Sequence, residues 1–369
     1  MSRLSGRLHL ARRAAIRALL PRRAPGQPQR ILVAHHFLLG DTMMLAALFA
    51  RLRARHPQAR IVTTVPAAFA PLFQTRPYGV EAWPYAPRDG ANLRDLSRRA
   101  DALGGFDLAL VPGDNRYALL ARALGSRWVR AFADDTPRWK NRLCDELIPW
   151  PAEPTNLADL LALLAGPDLG LRVCSGDWPP PAAAPVPLPA GPYAVLHLGA
   201  RSPLRFWDAA GWASVARELA ARGITPLWSA GAKEVALVQA ADPEGRYPSL
   251  AGGLDLPQLW QVFAGARVLV CPDTGVAHLG KVVGVPTVCL FGPGSPQLYD
   301  GGAFWADAPF AAVGPADFPC RDQQDLFKRE LSWVRRCHRG PAQCSEARCM
   351  RTITAEQVLA AIEQLLAST

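Results

Sequence analysis

Short apolar blocks alternate along the chain with longer segments of helical periodicity. From residue 30 the chain reads RILVAHHFLL, DTMMLAALFARLRARH and ARIVTTV, and the alternation continues through FDLALVP at 106–112 and RWVRAFA at 127–133. A second set begins with YAVLHLG at 193–199 and runs through RVLVC and PTVCLFG. Strands that alternate with helices predict parallel βαβ units. We therefore expect an α/β protein with two Rossmann-like, doubly wound domains in tandem, with ligands in the cleft between them.

The two sets are separated by DWPPPAAAPVPLPAGP, in which the density of proline forbids regular structure. A chain of 369 residues is long enough for two cores. Thr354 is expected to cap a last packing helix, ITAEQVLAAIEQLL. The predicted order is a basic arm (1–29), a first domain (30–170), a proline-rich linker (171–190), a second domain (191–350) with a cysteine-rich segment (320–349), and a C-terminal helix (351–369).

Positive charge is concentrated at the N-terminus. The net charge is +10, and residues 1–30 carry eight arginines and no acid, so the remaining body is only +2. A helix over this tail would gather Leu4, Leu8, Ile16, Leu19 and Leu20 loosely on one side. A basic amphipathic helix binds anionic membrane surfaces, and we expect residues 1–24 to do so. A disordered arm without a partner is the alternative, whereas nucleic acid is not expected, because the body offers no aromatic and basic platform.

No run of 18 apolar residues without a charge occurs, and the N-terminus lacks the apolar core of a signal peptide. These features predict a cytoplasmic protein. Together with the basic tail, they favour a peripheral location on the inner face of the cytoplasmic membrane.

The stretch LLGDTMML at 38–45 places Asp41 where a strand ends and a helix starts. Aspartate is among the best helix N-caps, which would account for Asp41 without any chemistry. A partly desolvated carboxylate at the end of a strand is also suited to act as a general base.

The stretch VLVCPDTGVAHLGKVVGVPTVCLFGPGSP contains two strand ends, a helix start at Gly275 and a Gly-Pro-Gly loop that begins at Gly292. The N-terminus of a helix attracts anions through its unpaired N–H groups and its dipole, so these are parts of a phosphate site. Asp273 and Thr274 would line it or, alternatively, cap the helix. His278 lies one turn inside, on the face expected to look toward the ligand.

Several familiar classes of protein do not fit these motifs. Asp-Thr-Gly also occurs in aspartic proteases, but the chain has no second copy and the motif opens a helix. Dinucleotide and P-loop fingerprints are absent from the sequence, as is a metal box of the kind that positions magnesium on phosphates.

The stretch HLGARSPLRFWDAAGW at 197–212 leads from a strand end through a basic loop to a helix. Arg201 and Arg205 are candidates to bind a diphosphate, because a guanidinium donates two parallel hydrogen bonds to phosphate oxygens. A solvated loop is the alternative.

The eight cysteines fall into two groups. Four lie singly in apolar settings and are expected to be core residues, namely Cys144, Cys174, Cys271 and Cys289. Four crowd together late in the chain, at Cys320, Cys337, Cys344 and Cys349. Four thiols suit a tetrahedral structural zinc or iron site, but their spacing lacks the usual Cys-x-x-Cys pairs, so reduced or occasionally paired thiols are the alternative.

The combined motifs resemble glycosyltransferase family 9, the heptosyltransferases of lipopolysaccharide core synthesis, from residue 30 onward. The resemblance rests on LGD at 39–41, HPQARIVTTV, RFW at 205–207 and above all DTGVAH at 273–278 followed by GVPTVCLFGPGSP. Family members usually have lysine before the aromatic-tryptophan pair, where this chain has Arg205, and commonly a proline where it has Asp208.

The resemblance implies a GT-B fold and a sugar transfer that needs no metal and inverts the anomeric carbon. It assigns Asp41 as the base that deprotonates the acceptor hydroxyl. It makes Asp273, Thr274, Gly275 and His278 the seat of an ADP-linked donor, with Arg205 on the donor phosphates.

The predicted function is therefore transfer of a sugar, in the first instance heptose from ADP-heptose, to a lipopolysaccharide core or related lipid-linked saccharide. No cofactor is required for it. Alternatives are a family 9 enzyme with another nucleotide-sugar donor or a protein acceptor, or a non-catalytic protein that binds nucleotide sugars or anionic lipids.

Overall fold

The chain forms two compact units. The computed structural model describes residues 3–18, 22–174 and 176–368. Unit 1 comprises Met1–Leu171, Asp177–Pro179 and Asp325–Ser332, and unit 2 comprises Arg172–Gly176, Pro180–Gln324 and Trp333–Thr369. Each unit has its own parallel sheet, so the prediction of two doubly wound α/β domains is confirmed.

The sheet of unit 1 has six parallel strands in the order β3-β2-β1-β4-β5-β6. They are β1 (Arg30–Val33), β2 (Arg60–Val65), β3 (Val80–Pro84), β4 (Phe106–Val111), β5 (Ser126–Phe132) and β6 (Glu146–Ile148). The central strands are buried on both faces, which is why they are nearly continuous apolar runs. The strand order reverses between β1 and β4, and ligands of open α/β sheets bind at the carboxyl ends of strands at such a switch point.

The helices of unit 1 are α1 (Arg3–Ala18), α2 (Leu39–Met44), α3 (Ala46–Arg55), α4 (Gly90–Ala102), α5 (Tyr117–Ala123) and α6 (Leu157–Ala162). Short 3₁₀ helices occupy Ala67–Phe73, Pro77–Gly79, Arg138–Leu143 and Leu163–Ala165. No helix among the described residues is long and apolar enough to cross a bilayer.

Helix α1 packs against α4 and α5. Leu10 and Ala14 are buried in the core of unit 1, and both Arg13 and Arg17 approach Asp101 to 2.6 Å. The alternative of a disordered arm is therefore wrong for residues 3–18. Leu8 and Ile16 are 61% and 58% exposed on the other side of the helix. Leu19, Leu20 and the side chain of Leu4 lie outside the described part of the chain.

The sheet of unit 2 has five parallel strands in the order β11-β10-β9-β7-β8, and its order reverses between β7 and β9. The strands are β7 (Tyr193–His197), β8 (Thr225–Ser229), β9 (Val268–Pro272), β10 (Thr287–Leu290) and β11 (Phe310–Val313). The helices are α7 (Ala209–Ala221), α8 (Val235–Ala241), α9 (Leu256–Ala264), α10 (Gly275–Val283), α11 (Pro296–Tyr299), α12 (Arg348–Arg351) and α13 (Ala355–Ala367), with a 3₁₀ turn at Pro203–Arg205. Thr354 caps α13 as predicted, in a capping box with Gln357.

One segment departs from the predicted domain bounds. The sequence placed residues 191–350 in a single domain, but Asp325–Ser332 packs within unit 1. It forms the hairpin of β12 (Asp325–Leu326) and β13 (Arg329–Glu330). The physical reason is Arg329, whose buried guanidinium donates hydrogen bonds to the carbonyl oxygens of Gly113 and Ala133.

Candidate active site

The start of α10 is not capped by a side chain. Thr274 is the N-cap residue and has extended backbone (φ −147°, ψ 167°), but no hydrogen bond joins its hydroxyl to the helix. The carboxylate of Asp273 does not cap the helix either, so the capping alternative is wrong for both residues. Thr274 and Gly275 are half-buried at the carboxyl end of β9. The partial positive charge at the N-terminus of α10 is therefore partly shielded from solvent, which strengthens its attraction for an anion.

Arg205 lies against Asp273. Its Nη1 donates to the main-chain oxygen of Asp273 at 2.6 Å and lies 3.2 Å from the carboxylate Oδ2. Asp273 is only 3% exposed, and its Oδ2 accepts no hydrogen bond despite that ion pair. The loops that follow β7 and β9, on either side of the switch point, thus meet through an arginine and an aspartate.

His278 carries a second unsatisfied polar atom. Its side chain is buried, its ring centroid lies 5.8 Å from that of Tyr299, and its Nδ1 has no hydrogen-bond partner among the described residues. Burial lowers the pKa of His278 well below 6.5, and the charges of Lys281 and Arg205 lower it further. The imidazole is therefore neutral at pH 7. A buried polar atom without a partner is costly, and sites that bind a polar ligand contain such atoms.

Lys281 was not predicted from the sequence. It is buried, and its Nζ donates to the main-chain oxygens of Tyr299 and Asp300 at 2.7 and 2.6 Å. Burial lowers the pKa of Lys281 to about 8. The lysine thereby holds the end of α11 next to His278. The sequence feature that could have indicated a role for Lys281 is its position as the single lysine in the apolar helical segment VAHLGKVVG.

Two other residues of unit 2, Arg201 and Gly292, were also predicted to bind the donor. Arg201 is exposed and makes no ion pair with the described residues. Gly292 is buried, its carbonyl oxygen accepts hydrogen bonds from Arg321, and a Cβ there would lie 2.3 Å from Met350 Sδ. Gly294, two residues later, lies directly against Asp273, because a Cβ on this glycine would lie 1.9 Å from Asp273 Oδ2.

Asp41 lies in unit 1, in the first turn of α2. The N-cap residue of this helix is Leu38, and Asp41 is the third helical residue, so the alternative interpretation of Asp41 as a simple N-cap is wrong. The side chain is half-buried. It follows the loop after β1, beside the switch point of the unit 1 sheet. A partly desolvated carboxylate in that position is suited to accept a proton from a bound hydroxyl.

The four late cysteines line one cavity of about 320 Å³ in unit 2. Across residues 3–18, 22–174 and 176–368, however, no three His, Cys, Asp or Glu side chains are grouped to hold a metal ion, so the structural metal hypothesis gains no support. Burial raises the pKa of the Cys320 and Cys349 thiols. The guanidinium of Arg339 also lies 3.7 Å from Cys337 Sγ, where it would repel a cation.

Three comparisons with known proteins bear on this geometry. The family model described as "Glycosyltransferase family 9 (heptosyltransferase)" matches residues 153–328. Lipopolysaccharide heptosyltransferase 1 of Pseudomonas aeruginosa is 34% identical over 135 residues, a match that spans 36% of each chain. Lipopolysaccharide heptosyltransferase 2 of Salmonella typhimurium is 25% identical over 303 residues, which cover 73% of this chain and 84% of that protein.

A solved structure, the E. coli heptosyltransferase WaaC with ADP, has the same fold. Its TM-score is 0.65 at 18% identity, and the match covers 91% of this chain and 99% of the WaaC chain. The family match also contains Arg205 and the whole DTGVAH stretch on which the predicted donor site rests. The protein is therefore a glycosyltransferase similar to the family 9 heptosyltransferases.

Proposed function

We propose that this protein transfers a heptosyl group from ADP-heptose to a lipopolysaccharide core acceptor, with inversion at the anomeric carbon and without a catalytic metal. The observation that carries the proposal is the uncapped start of α10. There a buried carboxylate oxygen of Asp273 and a buried ring nitrogen of His278 both lack hydrogen-bond partners. The helix N–H groups and His278 Nδ1 can donate to the diphosphate of a nucleotide, and the hydroxyl or amino groups of its nucleoside can donate to Asp273 Oδ2.

The donor is proposed to bind with its diphosphate at this helix start. When the bond between the sugar and the diphosphate breaks, negative charge grows on the leaving phosphate. The helix N–H groups and the guanidinium of Arg205 are fixed in position before the reaction, so they stabilise that charge without rearranging. The choice of ADP is supported by the relatives, among them an E. coli heptosyltransferase solved with ADP.

Asp41 is proposed to be the general base. It takes the proton of the acceptor hydroxyl as that oxygen forms its bond to the anomeric carbon, and ADP departs from the opposite face with the bonding electron pair. One displacement of this kind inverts the anomeric carbon. The half-buried position of Asp41, after the loop that follows β1 and beside the switch point of the unit 1 sheet, suits this role.

The exposed side of α1 is proposed to bring the enzyme to the cytoplasmic face of the membrane that carries the acceptor. Leu8, Arg12 and Ile16 follow one another at helical spacing on this side, and all three are exposed. Apolar side chains with an arginine between them suit the headgroup region of an anionic bilayer.

The test is a calorimetric titration with ADP, ADP-heptose, UDP and GDP, each with and without EDTA, followed by turnover assays on lipopolysaccharide that lacks heptose. Tight binding of ADP and ADP-heptose, unchanged by EDTA, and transfer of heptose to the saccharide are expected. Preference for UDP or GDP would identify a different donor. ADP-heptose binding without transfer to this acceptor would point to another acceptor or to a protein that only binds.

A further inference from the structure

The hairpin Asp325–Ser332 packs onto the loop that leads to Asp41. The Phe327 ring stacks on the Phe37 ring, with 5.2 Å between centroids and 16° between planes. Phe37 itself lies in the loop between β1 and α2. The turn of the hairpin, Phe327 and Lys328, has positive φ at both residues, 48° and 67°. Residues other than glycine rarely adopt this backbone conformation, so the surrounding contacts must stabilise the turn.

Arg329 fixes the hairpin to the loop that follows β4. Its Nη1 donates to the carbonyl oxygen of Gly113 at 3.0 Å and its Nη2 donates to Asn115 Oδ1 at 2.9 Å. Gly113 approaches Phe37 so closely that a Cβ on the glycine would lie 2.5 Å from the ring. The hairpin therefore contacts the loops on both sides of the switch point in the unit 1 sheet, the place where such sheets bind ligands.

Ion pairs surround the turn of the hairpin. Asp114 lies 3.0 Å from Lys140, 3.1 Å from Lys328 and 3.5 Å from Arg116. A second aspartate, Asp135, pairs with Lys140 and Arg329. Among the side chains that pair directly, four cations thus contact two carboxylates.

The cations differ in exposure. Lys140 and Arg329 are buried, whereas the side chains of Lys328 and Arg116 are 58% and 57% exposed. Burial raises the pKa of Asp114, but its hydrogen bonds with the Arg116 N–H, Lys140 and Lys328 lower it by more, so the carboxylate stays ionised and holds both exposed cations beside it. Of the four cations, Lys328 and Arg116 are therefore the two that a ligand can reach.

We propose that Lys328 and Arg116 bind an acidic group, a carboxylate or a phosphate, of the acceptor saccharide and thereby determine acceptor specificity. This inference rests on the proposed function. The hairpin Asp325–Ser332 follows most of unit 2 in the sequence, and the inference assigns it a role in the proposed acceptor site of unit 1. Phe327 and Arg329 position the turn, and Lys328 and Arg116 supply the charge-assisted contacts.

The experiment measures binding rather than turnover. The probe is the deacylated oligosaccharide of lipopolysaccharide that lacks heptose, titrated by calorimetry into the full-length protein without donor; a dephosphorylated sample of the probe is compared. Because the probe has no acyl chains, membrane binding does not contribute. The variants are Lys328→Ala and Arg116→Ala. The matched control is Arg98→Ala, since Arg98 is an exposed unit 1 cation that also pairs with an aspartate, Asp95, at 3.2 Å.

Each of the two variants should weaken binding by about tenfold, the loss expected for one charge-assisted contact, while Arg98→Ala changes it less than twofold. ADP affinity and the thermal unfolding midpoint should stay unchanged in all three. Wild-type affinity in both test variants, or no binding of the probe to the wild type, would overturn the inference. Binding that depends on Lys328 and Arg116 without any heptosyl transfer would uphold the inference and refute the proposed function.

Discussion

Arg205 Nη1 donates a 2.6 Å hydrogen bond to the main-chain oxygen of Asp273 and lies 3.2 Å from the carboxylate of the same residue. This contact joins the loop after β7 to the residue that precedes the uncapped helix α10. It also fixes the guanidinium beside the proposed diphosphate site before any ligand arrives.

Replacing Arg205 should impair donor use. Arg205→Ala removes the fixed cation that would stabilise charge on the leaving phosphate, and we expect kcat/KM for ADP-heptose to fall by about a hundredfold or more. Arg205→Lys restores a charge but not the fork of donors, so it should recover part of the loss. Steady-state kinetics check this, and equal rates for Arg205→Ala and wild type would show that the arginine serves packing alone.

A methyl group at Gly294 should disturb Asp273 directly. A Cβ there would lie 1.9 Å from Asp273 Oδ2, so Gly294→Ala must displace the carboxylate, and ADP affinity should fall by about tenfold or more. Gly301→Ala is the matched control, because a Cβ at Gly301 meets nothing within 4 Å. Calorimetry with ADP measures both. If the two variants bind ADP equally well, Asp273 has no part in the donor site.

Asp41→Asn should abolish transfer and leave ADP binding nearly intact. The amide keeps the size of the side chain but cannot take a proton from the acceptor hydroxyl, and loss of a general base commonly costs about 10²–10⁴ in rate. Turnover and ADP titration on the same preparation separate the two effects. Turnover within tenfold of wild type would remove Asp41 from the role of base.

The buried His35 should make folding stability fall in mild acid. Its Nε2 lies 3.0 Å from Thr63 Oγ1 and its Nδ1 accepts from the Phe37 N–H, and burial, followed by the charge of His36, lowers its pKa to about 3. The unfolded chain binds a proton at this histidine near pH 6.5 and the folded chain does not, so stability declines as the pH drops below 6.5.

At pH 5 the contribution of His35 to this loss is about 2 kcal/mol relative to pH 7.5. Urea unfolding at several pH values measures it. His35→Gln should show a flatter dependence between pH 6.5 and 5, by about one proton, whatever its absolute stability. An unchanged slope would mean that His35 is protonated in the folded state.

The exposed side of α1 should control membrane binding. Deleting the arm is a poor test, because Leu10 and Ala14 belong to the core of unit 1. The combined substitution of Leu8, Arg12 and Ile16 by serine changes only exposed side chains. We expect it to weaken co-sedimentation with vesicles rich in phosphatidylglycerol by at least about a hundredfold. Arg98→Ser is the control for loss of one positive charge. Unaltered co-sedimentation of the triple variant would place membrane contact elsewhere.

Local patterns in the sequence determined the type of fold and identified the main parts of the proposed donor site. The apolar blocks predicted the parallel strands because a strand buried on both faces must be apolar throughout its length. DTGVAH and the RFW loop were correctly placed at strand ends, and the structure brings Arg205 to Asp273 because β7 and β9 are neighbours at the switch point. Burial and the missing cap of α10 needed the tertiary structure, since Asp273 and Thr274 are also common capping residues.

The tertiary structure alone decided the contacts between segments distant in sequence. Asp325–Ser332 joined unit 1 because Arg329 satisfies carbonyl groups more than 190 residues earlier, a match that no local periodicity encodes. The same holds for Lys281, whose two carbonyl partners end a different helix. It also holds for Gly294, whose missing side chain matters only because Asp273 lies against it. Apolar periodicity records which face of an element is buried, whereas the partner of a buried polar group depends on how the whole chain packs.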